Sequence, residues 1–244
     1  MFSLRQRWFS TDCILCAAAT SSFNLCQPCV RSFPTAARAC AACALPIAHA
    51  RSHCRSCATS LPPFERAFAA HLFEPPIDVL IYRAKFSGSI PSAFALGEIL
   101  GEGLSHALGA GRLELPQALI PVPLHHRRLR QRGFNQAQLI AQRVAKRFAV
   151  PLRPRWASRR RDTMMQSSLE RDARQRNVAN AFRATPPKGA HVAIIDDVMT
   201  TGATATALAW ALLEAGAARV DAWTVARAGK PEDDGVMEPL TLRV

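Results

Sequence analysis

The spacing of the cysteines constrains this chain more than any other feature of its sequence. All eight cysteines of the 244 residues fall within the first sixty, in four CxxC pairs: Cys13/Cys16, Cys26/Cys29, Cys40/Cys43 and Cys54/Cys57. A CxxC turn lets two thiolates reach one ion, and two such turns supply the four tetrahedral sulfurs that structural zinc prefers. The pattern therefore predicts a small N-terminal module that holds two structural Zn²⁺ ions.

Two other uses of the cysteines fit less well. A disulfide framework is typical of small secreted domains, but the 184 residues after residue 60 contain no cysteine. A thioredoxin-like redox motif needs one CxxC and not four evenly spaced copies. Four pairs can share two ions in three ways. Pairing the first with the second and the third with the fourth closes the shorter loops and loses less chain entropy, so we expect that arrangement.

The metal should also supply much of the folding energy of this module, because the module has few large apolar residues. A chelator is therefore expected to unfold residues 1–60 while the rest of the chain stays folded.

The remaining composition is that of a globular domain without a membrane segment. No apolar run approaches the roughly 20 residues that cross a bilayer. Arg5 and Arg7 precede a partly apolar stretch, but Asp12 and two cysteines interrupt what would be the core of a signal peptide. The sequence predicts a cytoplasmic protein that does not insert into membranes.

Positive charge is concentrated in one central segment. The formal net charge is +13, and residues 125–176 hold 15 Lys and Arg against 3 Asp and Glu. Such clustering predicts an anionic partner, either a phosphorylated small molecule or a nucleic acid. A solvated surface that only aids solubility is the alternative.

Residues 61–227 alternate between strand and helix patterns and are followed by a loose tail, residues 228–244. Helices are predicted at residues 92–108, 133–150 and 203–215, and strands at residues 115–122, 191–195 and 219–225. Near-continuous apolar strands alternating with helices predict an α/β domain with a parallel sheet covered on both faces.

Two neighbouring carboxylates, Asp196 and Asp197, follow the predicted strand at residues 191–195. Ligands of open parallel sheets bind beyond the carboxyl ends of the strands. The next residues, MTTGAT at 199–204, lead into a helix N-terminus, where free amides and the helix dipole favour a phosphate. This arrangement suits a sugar phosphate whose hydroxyls donate to the two acids. A simple helix-capping loop is the alternative, because Asp and Thr are common N-cap residues.

The stretch VAIIDDVMTTGAT resembles the phosphoribosyl-pyrophosphate (PRPP) binding motif of type I phosphoribosyltransferases. PVPLHHRRLRQRGFNQ (residues 121–136), RRDTMMQSSLERDARQRNVANAF (residues 160–182) and the cysteine module together resemble the ComF family, up to about Arg227. The resemblance implies a type I phosphoribosyltransferase-like α/β domain preceded by a double zinc ribbon.

The resemblance also implies roles for individual residues. Asp196 and Asp197 would hold the ribose hydroxyls and stabilise positive charge that develops on the sugar. The 5′-phosphate would be bound by Thr200, Thr201, Gly202, Ala203 and Thr204. Residues 123–132 would form the pyrophosphate-binding loop, in which Arg132 is the strongest candidate. Residues 160–182 would form a hood that includes Gln166 and Arg171, and Mg²⁺ would accompany PRPP.

Three functions remain open from the sequence. The first is transfer of the phosphoribosyl group of PRPP, or of a related sugar phosphate, to an acceptor that the sequence does not identify. The second is single-stranded DNA binding during competence, together with proteins of the competence machinery. The third is a regulator that senses PRPP without turnover. Asp197→Asn is expected to abolish PRPP affinity with little loss of stability, because the carboxylate is predicted to face solvent.

Overall fold

The computed structural model describes residues 11–20, 24–48, 52–160 and 181–229. Gln166, Arg171 and residues 230–244 of the predicted tail lie outside these ranges, so their predicted roles stay predictions. Within the same ranges, no helix is both long enough and apolar enough to cross a bilayer.

The chain forms short strands and helices first, then an α/β unit. The strands are β1 (Thr11–Asp12), β2 (Ala19–Thr20), β3 (Arg66–Leu72), β4 (Ala118–Pro121), β5 (Ala157–Arg159), β6 (Phe182–Ala184), β7 (His191–Met199) and β8 (Arg219–Arg227). The helices are α1 (Gln27–Arg31), α2 (Arg55–Thr59), α3 (Ile77–Phe86), α4 (Ile90–Gly109), α5 (His126–Arg132), α6 (Gln136–Phe148) and α7 (Ala203–Glu214).

Four parallel strands form the central sheet, in the order β3, β8, β7, β4. Side chains of β7 alternate between its two faces, as strand geometry requires. Ala193 and Ile195 join the core built by α3, α4 and α6. Val192 and Ile194 join a second core with α7 and the β5–β6 hairpin. The predicted parallel α/β sheet, covered on both faces, is confirmed.

The cysteine module consists of two copies of one small motif. In each copy a CxxC turn is closed by a backbone bond, Ala17 N to Cys13 O in the first and Ala44 N to Cys40 O in the second, and both alanines adopt positive φ. A short helix then follows the third cysteine of each copy, α1 in the first and α2 in the second. The repeat seen in the cysteine spacing is therefore a structural repeat.

The two copies are embedded differently. Cys13 and Cys26 belong to the same buried core as α3 and α4, and Phe33 packs edge-on against His71 of β3 at 5.3 Å between ring centroids. The second copy has a small core of its own, built around Cys40, Cys54 and Cys57. Loss of metal from the first copy therefore exposes part of the main core, so a chelator should affect more than residues 1–60. The domain boundaries themselves remain a prediction.

The predicted helices and strands all occur, and the α/β unit also contains elements that were not predicted, namely β3, α3, α5, β5 and β6. The apolar pattern of α3 is obscured because Tyr82 and Phe86 are apolar yet exposed, and β3 is an edge strand that is only half-buried. The predicted loop at residues 123–132 is wrong for most of its length, since residues 126–132 form α5. His125 caps this helix by accepting from Arg127 N at 3.4 Å, and Gly133 ends it with φ 78°.

Helices α4 and α6 pack closely at Gly97. A Cβ atom at this position would lie 2.7 Å from Arg143 Cβ and 2.9 Å from Ile140 O, and the backbone oxygen cannot move away easily. Gly97→Ala should therefore lower the free energy of unfolding by about 1–3 kcal/mol, measured by urea denaturation. Gly109→Ala at the end of the same helix meets nothing within 4 Å and should be neutral or stabilising. Equal effects of the two changes would contradict this packing.

Candidate functional site

The eight cysteines converge on two sites in the predicted order. Each site holds four thiols whose sulfurs all lie within 4.8 Å of one another, Cys13, Cys16, Cys26 and Cys29 in the first and Cys40, Cys43, Cys54 and Cys57 in the second. The Sγ atoms of Cys16 and Cys26 are 3.5 Å apart, and those of Cys43 and Cys54 are 3.7 Å apart. None of the eight forms a disulfide. Sulfurs that bind one tetrahedral Zn²⁺ lie about 3.8 Å apart, so the donor sets fit zinc. The sequential pairing is confirmed.

Burial of three of these thiols favours a metal. Burial raises the pKa of the Cys43 thiol to about 11, and it also raises the pKa of Cys29 and Cys57, because a desolvated thiolate is costly without a counter-charge. A divalent cation supplies that counter-charge and replaces the protons. Zinc binding is thus expected to stabilise both copies of the motif.

A second group of residues meets at the carboxyl edge of the central sheet, where β7 ends. Asp197 is 2% exposed, and its Oδ1 lies 2.8 Å from Lys85 Nζ of α3. Its Oδ2 accepts from Gln136 Nε2 of α6 at 3.0 Å. The prediction that Asp197 faces solvent is therefore wrong, since helices from two other parts of the chain cover it.

Asp196 points to the other side of the strand and is half-buried. Its Oδ1 accepts from the backbone N–H of Asp197 at 2.9 Å. Burial and, second, the charge of Asp197 together raise the pKa of Asp196 to about 7, although Lys85 and Arg159 oppose the shift. A positively charged or hydroxyl-rich ligand would relieve the desolvation that keeps this carboxylate protonated near neutral pH.

The loop beyond β7 is open to solvent. Thr200, Thr201, Ala203 and Thr204 are exposed. Gly202 is the N-cap residue of α7 with φ 79°, and no side chain caps this helix in the described part of the chain. Ala203 N donates to Thr201 Oγ1 at 3.3 Å, but in the described ranges the amides of Gly202 and Thr204 have no acceptor. Neither aspartate caps α7, so the capping alternative does not explain the acidic pair.

Arg132, at the end of α5, is brought to the acidic pair by Gln136. Its Nη1 donates to Gln136 Oε1 at 3.1 Å, and Gln136 in turn donates to Asp197. The guanidinium also lies over the Phe86 ring, 5.3 Å from the centroid. Arg127 and Arg130 of the same helix point into solvent. Arg132, the strongest candidate for meeting a diphosphate, is therefore linked to the carboxylates through Gln136.

Comparison with known proteins places the chain among competence and DNA utilization proteins. No family model matches it. It is 36% identical over 218 residues to DNA utilization protein YhgH of Escherichia coli, which covers 88% of this chain and 96% of that protein. It is 30% identical over 232 residues to competence protein F of Haemophilus influenzae, and this match covers 91% of this chain and 100% of that protein. The chain belongs to the ComF family. A shorter match is to competence protein ComFC of Bacillus subtilis, which is 32% identical over 114 residues that make up 45% of this chain.

Three residues of this ComF-family chain carry much of the site yet were not expected from its sequence. Lys85 balances Asp197, Gln136 joins Asp197 to Arg132, and Arg227 contacts the loop beyond β7. Lys85 and Arg227 lie in no motif, and only the tertiary fold brings them to the site. Gln136 ends the stretch at residues 121–136, but its amide has no distinguishing local signal.

The two aspartates of this ComF-family chain should respond to amidation in opposite ways. Asp197→Asn leaves the positive charge of Lys85 without its partner and should lower the free energy of unfolding by about 2 kcal/mol at pH 8. Asp196→Asn should raise stability at pH 8 relative to the unchanged chain. The pKa of Asp196 is about 7 when folded and 3.8 ordinarily, so its contribution to stability is complete below pH 4 and disappears as the pH rises through 7.

Urea denaturation of both variants at pH 5 and pH 8 measures these effects. The advantage of Asp196→Asn over the unchanged chain should be larger at pH 8 than at pH 5. If the two free energies of unfolding differ by the same amount at pH 5 and pH 8, burial does not raise the pKa of Asp196.

Proposed function

We propose that this chain binds PRPP at the junction of β7 and α7 and transfers its phosphoribosyl group to an acceptor, releasing pyrophosphate. The observation that carries the proposal is the pairing of two carboxylates at the sheet edge with an exposed Thr/Gly loop in which, among the described residues, the amides of Gly202 and Thr204 have no acceptor. A loop of this kind suits a phosphate, and the neighbouring acids suit the hydroxyls of a sugar. Inorganic phosphate alone would make no use of the acids.

Each part of the ligand has a group suited to it. Asp196 and Asp197 would accept from the ribose hydroxyls, and residues 199–204 would donate to the 5′-phosphate. Lys85 orients Asp197, since its Nζ lies 2.8 Å from that carboxylate. Arg132, which Gln136 links to Asp197, would donate to the diphosphate.

The reaction breaks the bond between the anomeric carbon and the diphosphate oxygen, which leaves with the electron pair. The acceptor donates a pair to the anomeric carbon and loses a proton. Positive charge develops on the sugar between these events, where the negative charge of the aspartates would stabilise it. Mg²⁺ would enter with PRPP and neutralise part of the diphosphate charge.

Two glycines with the same backbone conformation allow a matched test. Gly202 and Gly189 have φ 79° and 75°, and a Cβ at either position meets nothing closer than 3.8 Å. Both changes to alanine carry similar left-handed strain, about 1 kcal/mol, but only Gly202→Ala places a methyl group where a phosphate would approach. By calorimetry with PRPP and Mg²⁺, Gly202→Ala should weaken binding at least tenfold and Gly189→Ala should not.

The absence of a calorimetric signal from the unchanged chain at millimolar PRPP would reject the proposal. Where PRPP binds, release of pyrophosphate in the presence of candidate acceptors separates a transferase from a regulator that only senses PRPP.

A second candidate function, binding of single-stranded DNA, is supported by a surface beside the site. Tyr82 and Phe86 of α3 are 61% and 65% exposed, with ring centroids 5.0 Å apart. Next to them α5 carries Arg127, Arg128, Arg130 and Arg132 without an acidic residue. Adjacent aromatic and basic side chains are the usual means of holding unpaired bases and their phosphates. The names of the Escherichia and Haemophilus relatives, which refer to DNA utilization and competence, support a role in DNA uptake.

Fluorescence anisotropy with a labelled oligothymidine tests this surface. The chain should bind at low salt, with an affinity that falls steeply as salt rises. Tyr82→Ala combined with Phe86→Ala should weaken binding roughly tenfold, since stacking on an aromatic ring contributes about 1–3 kcal/mol per base. Trp210→Ala is the control, because Trp210 is an exposed aromatic of α7 on the opposite face of the sheet. If Trp210→Ala weakens DNA binding as much as the combined change at Tyr82 and Phe86, this surface is not the binding site.

A further inference from the structure

Arg227, the last residue of β8, is a buried cation between the loop beyond β7 and the second cysteine site. It is 6% exposed. Its Nε donates to Cys43 O at 3.0 Å, and its Nη1 donates to Met199 O at 3.0 Å and also contacts the carbonyl oxygens of Thr200 and Ala228. Among the described residues no carboxylate forms a salt bridge with it. The guanidinium is therefore satisfied by backbone carbonyls, which is typical of a side chain that fixes the positions of the segments around it.

The chain next to Arg227 reinforces the same connection. Ala228 N donates to Met199 O at 2.9 Å, which holds the start of the loop against the end of β8. A Cβ atom on Gly229 would lie 2.5 Å from Leu45 Cδ1, so this residue is in close contact with the core of the second cysteine site. The side chain of Arg227 and the backbone of Ala228 and Gly229 thus join the loop to the second cysteine site.

Cys43 belongs to the second cysteine site and also contacts Arg227. Its thiol is one of four in the second site, and its carbonyl oxygen accepts from Arg227. The carbonyl direction is set by the CxxC turn, which the bond from Ala44 N to Cys40 O closes. Zn²⁺ would hold this turn closed by tying Cys43 to the other three sulfurs. The first cysteine site has no such contact with the loop within the described residues, since its buried thiols pack into the main core instead.

We infer that Arg227 is a positioning residue that holds residues 199–204 in the conformation that receives a phosphate, and that the second zinc site keeps Cys43 in place for it. The two zinc sites then differ in function: the first stabilises the core, and the second organises the ligand loop. A loop held in its bound conformation loses less entropy when the ligand arrives, so the connection should raise affinity. This consequence for affinity rests on the proposed binding of PRPP, whereas the structural connection does not.

Amide hydrogen exchange, followed by NMR on the full-length zinc-loaded chain, tests the connection without any ligand. The reporters are Ala228 N–H, bonded to Met199 O, and Thr206 N–H, bonded to Gly202 O. Cys57→Ser removes a ligand of the second site from α2, and Cys29→Ser removes the corresponding ligand of the first site from α1. We expect Cys57→Ser to speed exchange of both reporters at least tenfold relative to Cys29→Ser. Equal exchange in the two variants would overturn the inference.

Arg227→Lys provides a second test if Cys57→Ser does not fold. Lysine keeps the charge but lacks the planar fork that reaches Cys43 O and Met199 O together. The variant should retain two zinc ions per chain by metal analysis, exchange the Ala228 amide faster, and bind PRPP at least tenfold more weakly. Arg219→Lys, at the other end of β8, should change neither reporter. An Arg227→Lys variant with unchanged exchange and affinity would refute the positioning role.

The two proposals fail in different ways. If the unchanged chain does not bind PRPP, the proposed function is rejected, and the exchange rates still decide whether Arg227 and the second zinc site hold the loop.

Discussion

The site depends on placing two neighbouring carboxylates at the end of a buried strand. Consecutive residues of a strand point to opposite faces, so Asp196 and Asp197 meet different surroundings. Asp197 turns into the layer of α3 and α6, where Lys85 and Gln136 compensate its burial. Asp196 turns toward the other face, where burial and the charge of Asp197 raise its pKa to about 7. Asp197 is thus held in place by the protein, whereas Asp196 has fewer protein partners.

The N-terminal module has two four-thiol sites and little apolar packing, so metal bound at these sites would make its small size possible. Each copy of the motif is little more than a CxxC turn and one short helix, which could not fold on apolar contacts alone. The first copy adds Cys13 and Cys26 to the main core, while the second leaves Cys43 beside Arg227. A repeat in the sequence therefore produces two sites whose surroundings, and by our inference whose functions, differ.

Features encoded over a short span of sequence were predicted well, and features that depend on distant residues were not. Cysteine spacing was sufficient to predict the two four-thiol sites, and an apolar run ending at Gly216 was sufficient to place α7. The burial of Asp197 could not be predicted, because its partner Lys85 lies on α3, a helix without a clear apolar pattern. The helix at residues 126–132 was also missed, since its start depends on a side-chain cap from His125.

The central claim is that a sugar phosphate binds where β7 meets α7. A crystal structure of the chain with PRPP and Mg²⁺ tests it most directly. We expect the 5′-phosphate within hydrogen-bond distance of the amides of Gly202 and Thr204, with the ribose hydroxyls on Asp196 and Asp197. PRPP bound elsewhere, with the loop at residues 199–204 left without ligand, would contradict it.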